Sequence, residues 1–379
     1  MAPLHKLLAY AATLVWGHPL HQTDEVTPLY RFLGRVNPDT QELTWPATGV
    51  EFVFDGTTAN VPVERVSGTN SIDIFIDKHA PLVIENVTEP SIPLPTGLSD
   101  SKHHVVIRKR TETLFGTFAL GDLSEIPGIQ PLRLPPPARR MEIIGDSISA
   151  GYGNLGEFPC RGGPATEDAI VSYGALTAKA IGAAYSDVAY SARGLIRNYV
   201  TEPPGEAVVP ELWTRYGAND PDNSYPFEPP ADIVVINLGS NDFSYLVTVE
   251  SGFTYQARDQ INVTAYTEAT VDFARRVQSK YPDAELFITS SPLLHNAYPT
   301  SIMSSPQVND QFPLGGNQHN IQVAALKKAV AQLGSKTHFV DFPPNDPRDF
   351  SQFGCDFHPS ASYHRKMAGI LTYAINQAL

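Results

Sequence analysis

The sequence predicts an α/β domain with a parallel sheet, preceded by an all-β sandwich. Short alternating strands separated by turn residues fill the first third of the chain. A proline cluster then ends this pattern, and beyond it short apolar runs alternate with amphipathic helical stretches. These observations predict boundaries at 26–134 for the sandwich and 138–379 for the α/β domain.

The first domain is expected to consist of strands only. Residues 71–77 alternate almost strictly between apolar and polar, and 50–56 alternates and stops at Asp-Gly. Similar runs occupy 104–110 and 114–120, and no helical period of any length appears. Strands at this spacing predict a sandwich of the jelly-roll kind. The prolines of 126–137 exclude a central strand or a helix interior and predict a stiff linker.

In the second domain, runs typical of strands alternate with stretches of helical period, which predicts a parallel sheet. The predicted strands are 141–144, 185–190, 234–238, 285–289 and 338–341. The predicted helices are 263–277, 318–333 and 360–379.

Composition excludes several classes of partner. The chain has 379 residues, of which 42% are hydrophobic, enough for one large core or two smaller ones. Its net charge of -13 opposes binding to nucleic acid, and no run approaches the roughly 20 apolar residues of a membrane span. Two cysteines cannot build a zinc site, and the histidines show no metal-ligand spacing. We therefore expect a monomer without metal or cofactor.

Residues 1–17 are typical of a secretory signal peptide. A thin positive charge precedes the apolar run 7–16, and Gly17 fits a cleavage site. Because that charge is thin, an amphipathic segment of the mature protein is the alternative. Asn86 and Asn262 each begin an Asn-Val-Thr triplet, the acceptor for N-glycosylation. We therefore expect a secreted, extracellular glycoprotein.

Four candidate site residues follow the predicted strands, where open α/β sheets place their sites. Ser147 follows the first strand, Gly194 the second, Asn241 the third and His358 the last. A serine becomes a good nucleophile when a histidine takes its proton. A tetrahedral oxyanion needs donors, which the N–H groups of Ser147 and Gly194 and the Asn241 amide would supply. The pattern therefore predicts acyl transfer by a serine nucleophile.

Each of these residues also has an ordinary structural interpretation. Gly-Asp-Ser occurs in common turns, Gly194 could be a turn glycine, and Asn241 could form an Asx-turn. His358 lies next to Pro359 and could simply open a helix. Their joint occurrence, in this order and at successive strand ends, favours the catalytic interpretation.

Cys160 and Cys355 both fall in stretches expected to line this site. In a secreted protein such a pair is expected to form a disulfide. The alternative is two free, buried thiols.

Four segments of the second domain resemble the four blocks of the SGNH (GDSL-like) hydrolases: Gly145-Asp-Ser147, Gly194, Gly239-Ser-Asn241-Asp and Asp356-Phe-His358-Pro. The longer string from Glu142 to Gly153 resembles carbohydrate esterase family 2 in particular. Segments Glu51–Thr57 and Lys109–Glu112 are similar to N-terminal segments of that family.

The resemblance implies a flavodoxin-like SGNH hydrolase domain behind a jelly-roll domain. It implies removal of acetyl groups from plant cell-wall polysaccharides such as xylan or glucomannan through an acyl-enzyme. Ser147 would be the nucleophile, His358 the base, and the groups on Ser147, Gly194 and Asn241 the oxyanion donors. A lipase-like or thioesterase-like hydrolase and a non-catalytic carbohydrate-binding protein are the alternatives. Four aromatic residues suit stacking on sugar rings or belong to the core: Tyr199, Trp213, Tyr245 and Tyr298.

One position departs from the superfamily pattern. The superfamily usually has Asp-x-x-His, whereas here Cys355 holds the place of the aspartate and Asp356 lies two residues before His358. If the segment is extended, the Asp356 carboxylate reaches Nδ1 of His358 and completes a triad. If the segment turns, a backbone carbonyl orients the histidine instead. We expect the triad.

Overall fold

The computed structural model describes residues 27–248, 254–296 and 317–379. The predicted signal peptide, residues 1–17, lies outside the described residues.

The first domain is a sandwich of two antiparallel sheets, as predicted. One sheet has the order β1-β3-β8-β5-β6, with β10 also paired to β3, and the other has the order β2-β9-β4-β7. The ten strands are β1 Tyr30–Leu33, β2 Glu42–Leu43, β3 Gly49–Gly56, β4 Asn60–Gly68, β5 Ile72–Ile76, β6 Leu82–Ile84, β7 Ser91–Pro93, β8 Ser101–Lys109, β9 Gly116–Leu120 and β10 Ile129–Gln130.

The period-2 pattern of β8 explains how this domain forms its core. Val105 and Ile107 point inward and are fully buried in the core between the sheets. Lys109 continues the same buried series at the end of the strand, where the sandwich meets the second domain. The strand thus carries a buried lysine, whose pKa burial lowers to about 7.

The prediction that residues 126–137 form a linker is partly wrong. Within this stretch, Ile129 and Gln130 form β10, which pairs with Val53 and Phe54 of β3. A two-residue strand at the margin of a sheet fits here, because it lies between Pro127 and Pro131 and contains neither of them.

The second domain contains a five-stranded parallel sheet in the order β12-β11-β13-β16-β17, the flavodoxin-like arrangement. These strands are β11 Arg140–Gly145, β12 Ala184–Ala189, β13 Ile233–Asn237, β16 Glu285–Thr289 and β17 Thr337–Val340. A separate two-stranded antiparallel sheet consists of β14 Leu246–Thr248 and β15 Thr254–Gln256. The predicted parallel sheet is confirmed.

Helices cover both faces of this sheet. The α-helices are α1 Ser147–Ala150, α2 Tyr173–Ala180, α3 Val209–Leu212, α4 Ser240–Phe243, α5 Val263–Lys280, α6 Gln318–Val330 and α7 Ala361–Ala378. The 3₁₀ turns are Leu123–Glu125, Pro164–Thr166, Ala169–Val171, Phe350–Gln352 and Cys355–Phe357. Helices α5 and α6 pack with Ile144 on one face, while α2 and α7 pack with Met141 and Ile143 on the other. The central strand is therefore buried on both sides.

Buried contacts fix the two domains together. Arg35 of the sandwich is 2% exposed and donates to Glu142 Oε2 of β11 at 2.8 Å. Its guanidinium also lies 3.7 Å from the Tyr225 ring centroid. Trp45 Nε1 donates to the Tyr216 carbonyl at 2.6 Å. The first domain is thus docked on the second through desolvated, directional contacts.

Candidate active site

The turn after β11 places Ser147 at the start of α1. Gly145 is required there, because a Cβ would lie 2.0 Å from Ser149 Oγ. Asp146 caps the helix, and its Oδ1 accepts from Ile148 N at 3.0 Å. The nucleophile candidate is therefore held by its immediate neighbours in sequence.

The structure brings His358 to this serine. Nε2 of His358 lies 2.7 Å from Ser147 Oγ, and Nδ1 lies 3.1 Å from the Asp356 backbone carbonyl. A carbonyl only accepts, so Nδ1 carries the proton and the Nε2 lone pair faces the serine hydroxyl. This is the geometry that a general base needs.

The expected contact between the Asp356 carboxylate and His358 is not formed. Segment Cys355–Phe357 is a 3₁₀ turn rather than an extended strand, and Asp356 adopts the left-handed region with φ 49°. That turn directs the main-chain carbonyl, not the side chain, to the histidine. The Asp356 carboxylate instead accepts from Tyr152 Oη at 3.0 Å and from Gly162 N at 2.7 Å. The segment therefore turns, and a backbone carbonyl orients His358, which was the alternative to the triad.

The disulfide between Cys160 and Cys355 is present in the structure. Two backbone bonds accompany it: Cys355 N donates to Gly153 O, and Asp356 N donates to Cys160 O, both at 2.9 Å. The segment before His358 is consequently anchored to the loop that follows α1.

The surroundings of His358 favour its neutral form. Burial lowers the pKa of His358 below its ordinary value of 6.5, although the Asp356 carbonyl and charge oppose this shift. The Tyr152 ring packs against the imidazole, with 4.7 Å between ring centroids. A histidine that is neutral at neutral pH can accept the serine proton.

Asn241 lies beside the nucleophile turn, at the start of α4. Its Nδ2 donates to Arg193 O at 2.8 Å and approaches Asp146 Oδ2 at 3.3 Å. Gly239, the residue before this helix, has φ 126°, and a Cβ there would lie 2.4 Å from Tyr266 Oη, so the turn into the helix requires a glycine. Burial raises the pKa of Asp146 to about 7. The amide predicted as an oxyanion donor is thus buried next to Ser147, and its orientation is fixed.

Gly194 lies in the loop of residues 191–197, which follows β12. Its N–H, the other predicted donor, already donates to Asn198 Oδ1 at 3.1 Å. Asp242 holds the end of this loop, where its carboxylate accepts from the N–H groups of Leu195, Ile196 and Arg197 at 2.8 to 3.1 Å.

Three residues that sequence reasoning missed support the site: Tyr152, Asp242 and Glu112. Asp242 adjoins Asn241 in Gly-Ser-Asn-Asp, so its position beside a candidate donor was a usable signal. Glu112, within the sandwich segment Lys109–Glu112, accepts from Ser191 of the 191–197 loop. No local pattern marks Tyr152, because its partner Asp356 lies 204 residues away.

The aromatic residues that were candidates for stacking on sugar rings differ in exposure. Trp213 is 1% exposed and donates from Nε1 to Glu142 Oε1 at 2.6 Å, so it belongs to the core. Tyr245 is also buried, whereas Tyr199 is 37% exposed. Tyr298 lies outside the described residues.

The two sequon asparagines are exposed in the structure. Asn262 caps α5, with its Oδ1 accepting from Thr264 N at 3.0 Å and Ala265 N at 3.1 Å, and Asn86 Oδ1 accepts from Asn70 N at 3.1 Å. Their glycosylation stays a prediction. Within the three described ranges, no group of three or more His, Cys, Asp or Glu side chains is arranged to hold a metal ion. In that same part of the chain, every helix is too short or too polar to cross a membrane.

The parallel sheet and the Ser147–His358 pair form the arrangement expected of a serine hydrolase of the SGNH type. Two family models match the chain: "Carbohydrate esterase 2 N-terminal" over residues 32–135 and "GDSL-like Lipase/Acylhydrolase family" over residues 143–366.

Relatives with known names cover both domains. The cellulase/esterase CelE of Acetivibrio thermocellus is 30% identical over 372 residues, which cover 94% of this chain and 40% of that protein. An acetylxylan esterase / glucomannan deacetylase of Cellvibrio japonicus is 29% identical over 394 residues, covering 98% of each chain. This chain therefore spans less than half of the first relative and nearly all of the second.

Two solved structures share the architecture. One is a carbohydrate esterase family 2 enzyme with a carbohydrate binding domain from Corynascus thermopiles (Myceliophthora fergusii). It has a TM-score of 0.82 and 44% identity, covering 92% of this chain and 99% of that one. The other is a family two carbohydrate esterase from Clostridium thermocellum in complex with cellohexaose. It has a TM-score of 0.75 and 26% identity, covering 92% and 98%.

The chain belongs to the GDSL-like lipase/acylhydrolase family and, with its N-terminal domain, to carbohydrate esterase family 2. It is a carboxylic ester hydrolase. The resemblance to carbohydrate esterase family 2 and the predicted fold, a parallel α/β domain behind an all-β domain, are confirmed.

Proposed function

We propose that the protein is a secreted serine esterase that removes O-acetyl groups from plant cell-wall polysaccharides such as xylan and glucomannan. The observation that carries the catalytic part is the 2.7 Å contact between Ser147 Oγ and His358 Nε2. A hydroxyl and a neutral imidazole at this distance are the minimum apparatus for acyl transfer.

The reaction proceeds in two halves. His358 Nε2 takes the hydroxyl proton as Ser147 Oγ attacks the acetyl carbonyl, and the resulting imidazolium is stabilised by the Asp356 carbonyl at Nδ1. Collapse of the tetrahedral intermediate breaks the bond between the acetyl carbon and the sugar oxygen. His358 protonates this oxygen as it leaves, so the sugar departs with a free hydroxyl and acetyl-Ser147 remains. Water, deprotonated by His358, then attacks the acetyl carbonyl, and acetate leaves as Ser147 recovers its proton.

Donors around Ser147 stabilise the negative charge of the intermediate. The N–H of Ser147 lies at the start of α1, and the Asn241 amide approaches the nucleophile turn through Asp146. A fixed donor of this kind is typically worth about 100- to 1000-fold in rate.

The substrate class is supported by the relatives. The Cellvibrio japonicus relative is named acetylxylan esterase / glucomannan deacetylase, and the Clostridium thermocellum neighbour was solved with cellohexaose. On this chain, Tyr199 offers a partly exposed ring, and it lies near enough to Asp356 for the carboxylate charge to raise its pKa after the larger effect of burial. An aromatic surface next to the site suits a sugar ring.

Acetate release from a panel of acetylated polysaccharides and aryl esters tests the proposal. Acetylated xylan, acetylated glucomannan and aryl acetates are expected to be hydrolysed, whereas aryl esters of long acyl chains are expected to react far more slowly. Preference for long chains would support a lipase-like hydrolase. Binding of the polysaccharides without release of acetate from any ester would support the carbohydrate-binding alternative.

Secretion rests on residues 1–17 and on the sequons at Asn86 and Asn262. Expression in a eukaryotic secretory host, followed by N-terminal sequencing of the medium protein and treatment with a glycosidase, tests it. A mature N-terminus shortly after Gly17 and a mobility shift on deglycosylation are expected. Retention of the full chain inside the cell would contradict secretion.

A further inference from the structure

The guanidinium of Arg258 is fixed beside a residue of the candidate site. Its Nη2 donates to Asn241 O at 2.8 Å, and its Nε donates to Ser244 O at the same distance. The side-chain amide of Asn241 approaches Asp146 Oδ2 at 3.3 Å, in the turn that carries Ser147. The guanidinium is therefore hydrogen-bonded to the residue whose amide reaches the nucleophile turn.

The same guanidinium lies near the exposed ring that we propose as a sugar contact. Ser244 Oγ accepts from Arg258 Nη2 at 2.8 Å and from Val200 N at 3.0 Å, and Val200 directly follows Tyr199. Burial raises the pKa of Tyr199, the charge of Asp356 raises it further, and the charge of Arg258 opposes both. Tyr199 is thus close to Arg258 on one side and to the segment that carries the histidine on the other.

Arg258 keeps a donor that the described part of the chain does not use. Its hydrogen bonds go through Nε and Nη2, and among the described residues Nη1 has no acceptor. The side chain is half-buried, while residues 255–257, 259 and 260 around it are exposed. A fixed guanidinium with a free edge at the surface is suited to bind a carboxylate.

The charges around Arg258 favour a bound anion. Burial lowers its pKa to about 10, and the nearby charge of Arg197 lowers it further, against the weaker effects of Asp242 and Tyr199. The Asp242 carboxylate already accepts from three backbone N–H groups. Arg197 Nη1 donates to Asp259 O, and its Nη2 is buried without an acceptor in the described part of the chain. An anion at Arg258 would offset the repulsion between the two guanidinium groups.

The proposed substrates indicate which anion this is. Cell-wall polysaccharides combine neutral sugars with uronic acids, and the carboxylate is the charged group of a uronic acid. The protein has a net charge of -13, so its surface as a whole does not attract an acidic polysaccharide. Recognition of such a substrate therefore requires a local cation beside the sugar-binding surface.

We propose that Arg258, with the added charge of Arg197, is a subsite for the carboxylate of a uronic acid. The preferred substrate is then an acetylated polysaccharide in which an acidic sugar lies close to the acetylated one. Arg258 contacts the substrate but not the reacting atoms, so it determines specificity. This inference rests on the proposed deacetylation and narrows its substrate class.

Two acetylated xylo-oligosaccharides that differ only in one glucuronic acid substituent test the substrate class. The wild-type kcat/KM should be roughly fivefold to 20-fold higher on the acidic one, because a half-buried charge-assisted bond is stronger than an exposed ion pair. The difference should lie in KM, since the carboxylate is bound equally in the ground state and the transition state. Equal kcat/KM on the two substrates would overturn the proposal.

Variants of Arg258 test the residue through the ratio of the two kcat/KM values, acidic over neutral. Arg258→Gln should bring this ratio to within about twofold of one, whereas Arg258→Lys keeps the charge and should retain part of the preference. A displaced Asn241 amide would slow both substrates, so it cancels in the ratio. Arg197→Gln should lower the ratio by only about twofold to threefold. An unchanged ratio in Arg258→Gln would overturn the assignment.

Arg276→Gln is the matched control. Arg276 Nη2 also donates to a backbone carbonyl, that of Pro210, at 3.2 Å. It lies near the end of α5, shortly before β16 begins, and hence at the opposite edge of the sheet from the site. The ratio should stay within about twofold of wild type. A fall as large as that in Arg258→Gln would show a general effect of lost positive charge and overturn the subsite.

Inhibition of aryl acetate hydrolysis gives a readout that does not depend on where the acetyl group lies. The unacetylated acidic oligosaccharide should inhibit the wild-type enzyme at a concentration roughly fivefold lower than its neutral counterpart, and Arg258→Gln should lose this difference. A wild-type enzyme that hydrolyses the aryl acetate but distinguishes neither pair would refute the subsite alone. An enzyme that hydrolyses none of the esters would instead refute the proposed function, so the two failures are distinguishable.

Discussion

The two segments that carry Ser147 and His358 are held in opposite ways. The turn that carries Ser147 is fixed by its own neighbours, Gly145 and the capping carboxylate of Asp146. The segment that carries His358 is fixed by distant parts of the chain. The Cys160–Cys355 disulfide has a sequence separation of 195 residues, and Gly153 and Gly162 bind the same segment.

This difference has a consequence for the histidine. Because the contacts at Cys355 and Asp356 impose a turn on the segment, a main-chain carbonyl meets His358 Nδ1. The side chain of Asp356 becomes part of the anchor instead, through Tyr152 and Gly162. The histidine proposed as the base is thus oriented by backbone that a disulfide holds in place.

The largest expected effect comes from removing the hydroxyl of Ser147, the proposed nucleophile. Ser147→Ala should lower kcat by more than about 1000-fold while leaving the melting temperature nearly unchanged, because the change removes one small hydroxyl that is hydrogen-bonded to His358. Acetate release and thermal unfolding measure the two quantities. More than about a tenth of wild-type turnover would exclude Ser147 as nucleophile.

Asn241→Ala removes a donor next to the same turn. We expect kcat to fall by roughly 100- to 1000-fold with little change in KM, since the donor bond to the oxyanion strengthens in the transition state. Steady-state kinetics on an aryl acetate separates the two constants. A change only in KM would make Asn241 a substrate-positioning residue.

The distant anchor can be broken without touching either catalytic side chain. Replacing Cys160 and Cys355 together by serine should lower the free energy of unfolding by roughly 2 to 5 kcal/mol. It should also lower kcat by about tenfold, because small displacements of a base are costly. Denaturant titration and kinetics at a temperature where the variant is folded provide the measurements. Unchanged kcat would show that the disulfide stabilises the fold but not the histidine.

Asp356→Asn probes the anchor with less disturbance, because asparagine tolerates the left-handed backbone at this position. We expect kcat to fall by less than about tenfold, since the carbonyl at Nδ1 is kept. Loss of a triad acid costs up to roughly 10⁴-fold in the best-studied analogue. A loss of several decades would restore the Asp356 carboxylate to the triad.

The pH profile gives the smallest expected signal. Burial lowers the pKa of His358 below 6.5, so the base stays neutral as the pH falls through 6.5 and activity is lost only below it. The acid limb of kcat/KM should therefore lie below pH 6.5. Burial raises the pKa of Asp146 to about 7, and the Asp146→Asn variant separates its titration from that of His358. A limb at or above 6.5 that persists in this variant would contradict a base that is neutral at pH 6.5.

The parts of the site that depend on local sequence were predictable. An apolar run followed by Gly-Asp-Ser predicts a strand and a sharp turn, and the structure places Ser147 there. Asn241 and His358 were found because parallel strands end at one edge of a sheet.

The parts that depend on distant contacts were not predictable. No local pattern shows that Asp356 adopts φ 49°, because Cys160 and Gly153 impose that turn from about 200 residues away. Gly194 was an obvious candidate donor, yet its N–H binds Asn198. The contact between Glu112 and Ser191 joins the two domains, so no local pattern predicts it.

Covalent labelling tests the central claim, that Ser147 is the nucleophile and His358 its base, most directly. The wild-type enzyme is treated with a fluorophosphonate, and peptide mass spectrometry locates the label while acetate release is followed in parallel. We predict one label per chain, on Ser147, that appears at the rate at which activity disappears, with labelling strongly slowed in His358→Ala. Inactivation with the label on another residue, or full activity after Ser147 is labelled, would contradict the account.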